Sequence, residues 1–163
     1  MVQEKSKTAR VNILKGQIAE RYVELVLKDM GYKVSKVAEL NRKKKEFFLH
    51  SRRIEEFLKK AKIRNAFFII NKLKENYKNG LPDFICRKGK QIKFVEVKSN
   101  KSGLDELQKK SFDMLRTLGF PVNLVRVKLD LDLKIMDKEE AKQIELEHQS
   151  EGYAYDLEGL NEL

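Results

Sequence analysis

Two neighbouring stretches decide the fold of this chain: GLPDF at residues 80–84 and QIKFVEVKS at residues 91–99. In the first stretch a glycine and a proline interrupt a helical pattern, and a strand over residues 83–87 follows them. The second stretch predicts another strand. The turn that joins them, residues 88–90, is short and contains glycine, so the two strands should form a β-hairpin.

Charged residues of the second strand are the first candidates for chemistry. Glu96 and Lys98 share one face with Ile92 and Phe94, because side chains alternate along a strand. Apolar residues on both faces predict a central strand, where an unpaired charge is costly to bury. The hairpin can bring the Asp83 carboxylate close to Glu96. The simpler alternative is a salt bridge between Glu96 and Lys98, with Asp83 only closing a turn.

Two carboxylates held close together repel each other unless a cation lies between them. Oxygen ligands with few nitrogen or sulfur neighbours suit Mg²⁺ or Mn²⁺. The sequence therefore favours a divalent cation over a structural zinc, and its single cysteine, Cys86, excludes an internal disulfide.

Outside the hairpin, helical spacing predicts a first helix from about Lys7 to Met30, and a short strand should follow over residues 32–37. Residues 41–80 lack proline and predict two helices. The apolar residues whose spacing predicts these three helices are, in order, Val11, Leu14, Ile18, Tyr22 and Leu25; Phe47, Ile54 and Leu58; and Phe67, Ile70, Leu73 and Tyr77.

After the hairpin, Ser102 resembles a helix N-cap with Asp105 three residues on, and the predicted helix continues to Gly119. Pro121 opens a last strand over residues 122–129. This order predicts an α/β fold with a small mixed sheet flanked by helices.

The charge is unevenly distributed. The net charge is +10, but residues 136–163 hold nine acidic and two basic residues, which leaves +17 on residues 1–135. A body this basic attracts nucleic acid. The alternatives are a solvated surface or the Lys/Glu enrichment of hyperthermophiles. No apolar run is long enough to span a bilayer, so we expect no membrane association.

Residues 80–84 and 94–99 together resemble the motif of the PD-(D/E)xK nuclease superfamily. Upstream, residues 15–21 and 31–34 are similar to the first helix and strand of archaeal Holliday junction resolvases. Downstream, the helix over residues 104–119, with Gln108, resembles the VRR-NUC branch of the superfamily. The resemblance implies a restriction-endonuclease-like core over residues 1–135, with a basic helical insertion at about 39–79 and an acidic tail at 136–163.

The resemblance also implies a function and its residues. It implies an Mg²⁺- or Mn²⁺-dependent DNA endonuclease, acting as a homodimer on branched or structured DNA in repair or recombination. We further expect a cytoplasmic protein from a prokaryote such as a thermophilic archaeon. The implied catalytic residues are Asp83, Glu96, Lys98, Glu20 and Gln108, and the implied metal ligands are Asp83, Glu96, Val97 and Glu20.

Several assignments remain open at this stage. The basic residues Lys15, Arg42, Lys43, Lys44, Lys45, Arg52 and Arg53 are candidates for DNA contacts, or simply solvated surface. Gly16, inside a helix, indicates a close backbone approach. The insertion could clamp DNA, mediate dimerisation or extend the fold. The tail could inhibit the chain, bind a partner protein or be a frayed terminus.

Two other functions fit the same residues. One is a nucleic-acid-binding module that has kept the fold without catalysis. The other is a restriction endonuclease that reads a specific duplex sequence. The intact set of acidic and basic candidates speaks against the first, since a pure binder gains nothing from carboxylates facing phosphate.

Overall fold

A computed structural model describes residues 2–41, 44, 46–76, 80–99 and 102–130. The chain divides into two units, and the larger one comprises Asn12–Asp130. The other comprises Met1–Val11 and Leu131–Leu163, of which the structure describes only the helical residues 2–11. The predicted acidic tail therefore lies outside the described residues.

Four helices and six strands make up the described chain. The helices are α1 (Val2–Asp29), α2 (Ser51–Lys60), α3 (Ala66–Asn76) and α4 (Glu106–Thr117). The strands are β1 (Lys33–Lys36), β2 (Ala38–Asn41), β3 (Glu46–Leu49), β4 (Phe84–Lys88), β5 (Gln91–Ser99) and β6 (Val122–Val127). Among these helices none is long and apolar enough to cross a membrane.

The main sheet has the order β1-β4-β5-β6. β1, β4 and β5 pair antiparallel, whereas β5 and β6 run parallel because α4 connects them across the sheet. β5 is therefore a central strand, and the predicted small mixed sheet flanked by helices is confirmed.

Apolar side chains cover both faces of this sheet. On one face Ile92 and Phe94 pack with residues of α2, α3 and α4. On the other face Val95 and Val97 pack with a buried stripe of α1. Alternation along β5 then places Glu96 and Lys98 on the α4 side of the sheet, at the end of the strand where apolar packing stops.

The α1 helix exists as predicted but buries a different stripe. Leu14, Ile18, Tyr22 and Leu25, whose spacing predicts the helix, are exposed, and Ala19, Val23 and Leu27 face the sheet instead. The small Ala19 side chain lets the helix backbone lie close to the strands. A Cβ on Gly16 would contact nothing within 4 Å, so the predicted close approach at Gly16 is wrong.

Two local predictions also need correction. The helix predicted around Phe47 is a β-hairpin, β2–β3, because the helical spacing from Phe47 to Ile54 spans a strand end and a helix start. The α4 helix is capped by Asp105, whose carboxylate accepts the N–H of Gln108 at 2.8 Å. Ser102 is not the cap because the helix begins only at Glu106, and the Ser102 hydroxyl instead donates to the Ser99 carbonyl at 2.8 Å.

Candidate active site

Asp83 is fixed by the strand that follows it and by the neighbouring strand. It directly precedes β4, and its Oδ2 accepts the backbone N–H of Val97 at 2.7 Å. The pKa of Asp83 is raised to about 8, first by burial and then by the negative charge of Glu96, although the Val97 hydrogen bond acts in the opposite direction. The hairpin therefore holds this carboxylate beside that of Glu96.

The Glu96 side chain is only 3% exposed, and its two carboxylate oxygens differ in their hydrogen bonding. Its Oε1 accepts hydrogen bonds from Lys98 Nζ at 2.9 Å and from Gln108 Nε2 at 2.7 Å. Its Oε2 is buried and has no hydrogen-bond partner among the described residues. Burial raises the pKa of Glu96 against the opposing effects of Lys98 and Gln108. The simple salt bridge is thus present, but it leaves one carboxylate oxygen without a donor.

Gln108 joins the two charged residues of β5. Its Oε1 accepts from Lys98 Nζ at 3.0 Å, while its Nε2 donates to Glu96. The same Oε1 accepts from the backbone N–H of Asp105 at 3.3 Å, which completes a capping box at the start of α4. The helix cap therefore fixes the amide that orients Lys98 and Glu96.

Gly80 makes room for this amide. A Cβ at residue 80 would lie 2.6 Å from Cγ of Gln108, and Gly80 has a positive φ of 74° that other residues rarely adopt. From the sequence alone, Gly80 is predicted to break a helix and to open the motif at residues 80–84. Its second role depends on the tertiary approach of α4 and could not be read from the local pattern.

Glu20 approaches from α1, on the other face of the sheet. Its Oε2 accepts from Lys36 Nζ at 3.1 Å. Burial lowers the pKa of Lys36, but the hydrogen bond and charge of Glu20, with the charges of Glu39 and Asp83, outweigh it and raise the pKa. Lys36 thus lies between Glu20 and the Asp83 side of the site. Sequence reasoning missed this role, although alternation placed Lys36 on the same face of β1 as Val34.

These oxygen atoms can be compared with what a divalent cation requires. Within the described part of the chain, no three His, Cys, Asp or Glu side chains form a group that could hold a metal by themselves. Asp83 and Glu96 do form a close pair, whereas Glu20 is bonded to Lys36. The backbone N–H of Val97 binds Asp83 and its side chain packs in the core, so this residue can offer only its carbonyl oxygen.

The predicted nucleic-acid contacts lie in three places. Lys15 is half-buried on α1, and Lys44 is exposed in the turn between β2 and β3, whereas residues 42, 43 and 45 lie outside the described residues. Arg52 and Arg53 are exposed in the first turn of α2, where they line a cavity of about 430 Å³. Arg53 is also paired with Glu56 at 3.2 Å. Both arginines are thus accessible to a polyanion.

Comparison with known protein families gives one assignment. The family model described as the VRR-NUC domain matches residues 32–129, which is more than half of the chain. The matched region contains Asp83, Glu96, Lys98 and Gln108, and it includes the segment at residues 39–79. A search of curated proteins finds no match to this sequence. The chain belongs to the VRR-NUC domain family, whose members are PD-(D/E)xK-type nuclease domains.

Proposed function

We propose that this nuclease domain is an Mg²⁺- or Mn²⁺-dependent DNA endonuclease that hydrolyses phosphodiester bonds. The observation that carries the proposal is the buried Oε2 of Glu96, which has no partner among the described residues and lies beside the carboxyl of Asp83. A buried carboxylate oxygen without a donor is costly. A divalent cation would remove this cost and the repulsion between the two carboxylates.

The donor set suits such an ion. Asp83, Glu96 and the carbonyl of Val97 offer only oxygen, which Mg²⁺ and Mn²⁺ prefer. Glu20 would contribute from the other side after exchanging its bond to Lys36. When bound, the cation would supply Lewis-acid chemistry, lowering the pKa of the attacking water and offsetting charge on the phosphate.

The other residues of the site position the reacting groups. Lys98 Nζ is held by Glu96 and Gln108, which leaves it able to donate one further hydrogen bond to the attacking water or to a phosphate oxygen. Gln108 keeps both neighbours in place and acts as a positioning residue. The resemblance to the PD-(D/E)xK superfamily implies 5′-phosphate and 3′-hydroxyl product ends.

The substrate class follows from the resemblance to resolvases and VRR-NUC nucleases. We propose branched or otherwise structured DNA in repair or recombination, with a homodimer supplying two cuts. Size-exclusion chromatography with light scattering tests the dimer, and a monomer at micromolar concentration would contradict it.

The experiment that tests the proposal compares labelled Holliday junction, flap, single-stranded and duplex DNA. Each substrate is incubated with wild type or Asp83→Asn, in Mg²⁺ or in EDTA. We expect cuts that need both the metal and Asp83, with structured substrates preferred. DNA binding without any cleavage would contradict the proposal and favour a non-catalytic module. Discrete cuts in linear plasmid DNA would instead identify a sequence-specific restriction enzyme.

A further inference from the structure

The β2–β3 hairpin is attached to the main sheet next to Asp83. Its first strand follows Val37, whose backbone N–H donates to the Asp83 carbonyl at 3.0 Å. Its second strand ends at Leu49, and the N–H of the next residue, His50, donates to the Val37 carbonyl at 3.0 Å. Two successive backbone hydrogen bonds therefore fix the base of the hairpin to the residue that begins the candidate active site.

The hairpin carries an exposed aromatic ring on each face. Phe47 is 53% exposed and is paired with Leu40, which is 44% exposed. Phe48 is 43% exposed and is paired with Glu39 on the opposite face. Side chains of this size are normally buried, and an apolar pair at the end of a small hairpin has no core of its own to join.

The face that carries Phe48 leads to the candidate active site. The Phe48 ring makes an edge contact with His50 at a centroid distance of 4.9 Å. His50 Nε2 lies 3.3 Å from Glu39 Oε2. The charge of Glu39 acts on Lys36, as does that of Asp83. The Phe48 ring is thus linked to Glu39 through His50, on the side of the hairpin whose charge acts on Lys36.

The charge and the exposed rings of the hairpin indicate which kind of ligand it would bind. The four residues that join its strands, 42–45, are all basic in the sequence, and the segment 39–79 holds thirteen basic and five acidic residues. Exposed rings within a segment whose sequence is this basic suit nucleic acid, because bases stack on aromatic side chains while phosphates pair with cations. Glu39 and Glu46 on the strands themselves disfavour phosphate there, so the strands suit the uncharged bases.

We propose that the β2–β3 hairpin is a base-stacking wedge, in which Phe47 and Phe48 receive unpaired bases on opposite faces of the ribbon. The inference rests on the proposed function and deepens it, because it assigns the preference for branched DNA to two named side chains. A ring inserted at a junction replaces the stacking partner that a splayed base has lost. Fully paired duplex offers no such base, so the wedge contributes little to its binding.

The test measures binding in EDTA, where cleavage does not occur. A flap DNA carries 2-aminopurine at the unpaired base beside the junction, and a duplex of equal length carries it within the stack. We expect wild type to quench the fluorescence of the flap and to bind the flap more tightly than the duplex. Phe47→Ala/Phe48→Ala should weaken flap binding about tenfold or more, leave duplex binding within about twofold, and lose the quenching.

Two further variants control the test. Phe47→Leu/Phe48→Leu keeps the apolar area without the aromatic face, and it should lose the quenching as the alanine variant does. Phe67→Ala removes a ring of α3 that is 77% exposed outside the hairpin, and it should behave as wild type. Far-ultraviolet circular dichroism confirms that each variant is folded. Leucine variants that retain quenching would overturn the proposal.

Other outcomes separate the two proposals. If flap preference depends on the rings but wild type never cleaves in Mg²⁺, the wedge stands and the endonuclease proposal fails. If wild type cleaves and the alanine variant shows unchanged flap preference, the wedge fails alone. An equal loss of affinity for flap and duplex DNA in the alanine variant would also overturn the wedge proposal. A change in the oligomeric state of that variant would do the same.

Discussion

The Asp83 carboxyl should destabilise the metal-free protein at high pH. Its pKa is raised from 3.8 to about 8, mainly by burial, so the folded state holds the proton more tightly than the unfolded chain. The stabilisation from this group is therefore complete below about pH 4 and is lost as the pH rises through about 8. Asp83→Asn keeps an acceptor for the Val97 N–H without titrating. In EDTA we expect it to raise the free energy of unfolding at pH 9 by at least about 1 kcal/mol.

Urea denaturation at pH 4 and pH 9 measures this difference. The two proteins should be equally stable at pH 4. Added Mg²⁺ should stabilise wild type at pH 8 and leave Asp83→Asn unchanged, because only the ionised pair attracts the ion. An asparagine variant that is less stable than wild type at pH 9 in EDTA would show that burial of the charge is not costly.

Lys98 offers a prediction about catalysis. Lys98→Ala removes the one ammonium group held between Glu96 and Gln108, so kcat should fall about 100-fold to 1000-fold. The Kd for DNA should change by less than about threefold, since Lys98 is one of 35 lysine and arginine residues that could pair with phosphates. Single-turnover cleavage and anisotropy binding provide the two measurements.

Lys93→Ala is the matched control for Lys98→Ala. Lys93 lies on the same strand but on the other face, where its Nζ is 4.1 Å from the centre of the Tyr32 ring. This variant should retain kcat within about twofold of wild type. Equal losses in both lysine variants would point to general disruption of β5 instead of a role for Lys98.

At the scale of single residues, much of this arrangement could be predicted from the sequence. Alternation along β5 and the short hairpin turn place Asp83, Glu96 and Lys98 together, and the structure has them so. The bond between Lys36 and Glu20 could not be predicted, because it depends on how α1 crosses β1. Strand alternation gives the face of a side chain but not its partner on another element.

At the scale of elements, the loop before β4 and the start of α4 act as one unit. Gly80→Ala places a methyl group 2.6 Å from Gln108 Cγ, so the amide must move away from Glu96 and Lys98. We expect kcat to fall about tenfold, as in Gln108→Ala, with DNA affinity unchanged. The double variant Gly80→Ala/Gln108→Ala should lose no more kcat than the single variant Gln108→Ala, because the effect of Gly80 on the site acts through the Gln108 side chain.

A double-mutant cycle on kcat measures this coupling, and thermal unfolding is recorded beside it. The positive φ of residue 80 will lower the stability of the two variants that carry alanine there, so only the kinetic cycle is diagnostic. Additive losses in kcat would mean that Gly80 and Gln108 influence the site independently.

Some helices and strands could be predicted from the sequence, whereas others could not. The helices α1 and α4 and the strands of the main sheet follow from long periodic segments. The β2–β3 hairpin was missed because Phe47, Ile54 and Leu58 fall at helical spacing across the end of β3 and the start of α2. The strand pairing of residues 38–49 begins beside Val37, whose hydrogen bond to Asp83 is a tertiary contact that no local pattern shows.

At the scale of the whole molecule, the charge distribution predicts how DNA affinity responds to truncation. Removing residues 136–163 raises the net charge from +10 to +17. The truncated chain should bind duplex DNA several-fold more tightly at 50 mM salt, and the difference should shrink as salt rises and screens the charge. Fluorescence anisotropy across a salt series measures this. An affinity that is unchanged at low salt would exclude an electrostatic effect of the tail.

The buried thiol of Cys86 can serve as a natural probe for local opening of the main sheet. The side chain is fully buried on β4, and burial raises its pKa to about 12, so we expect the native thiol to resist alkylating reagents. It is the only cysteine of the chain. Mass-spectrometric labelling of unmodified protein would therefore time the opening of the strand that starts beside Asp83, without any engineered probe. Comparing the labelling rate with and without each kind of DNA would show which substrates suppress the opening of the sheet on binding.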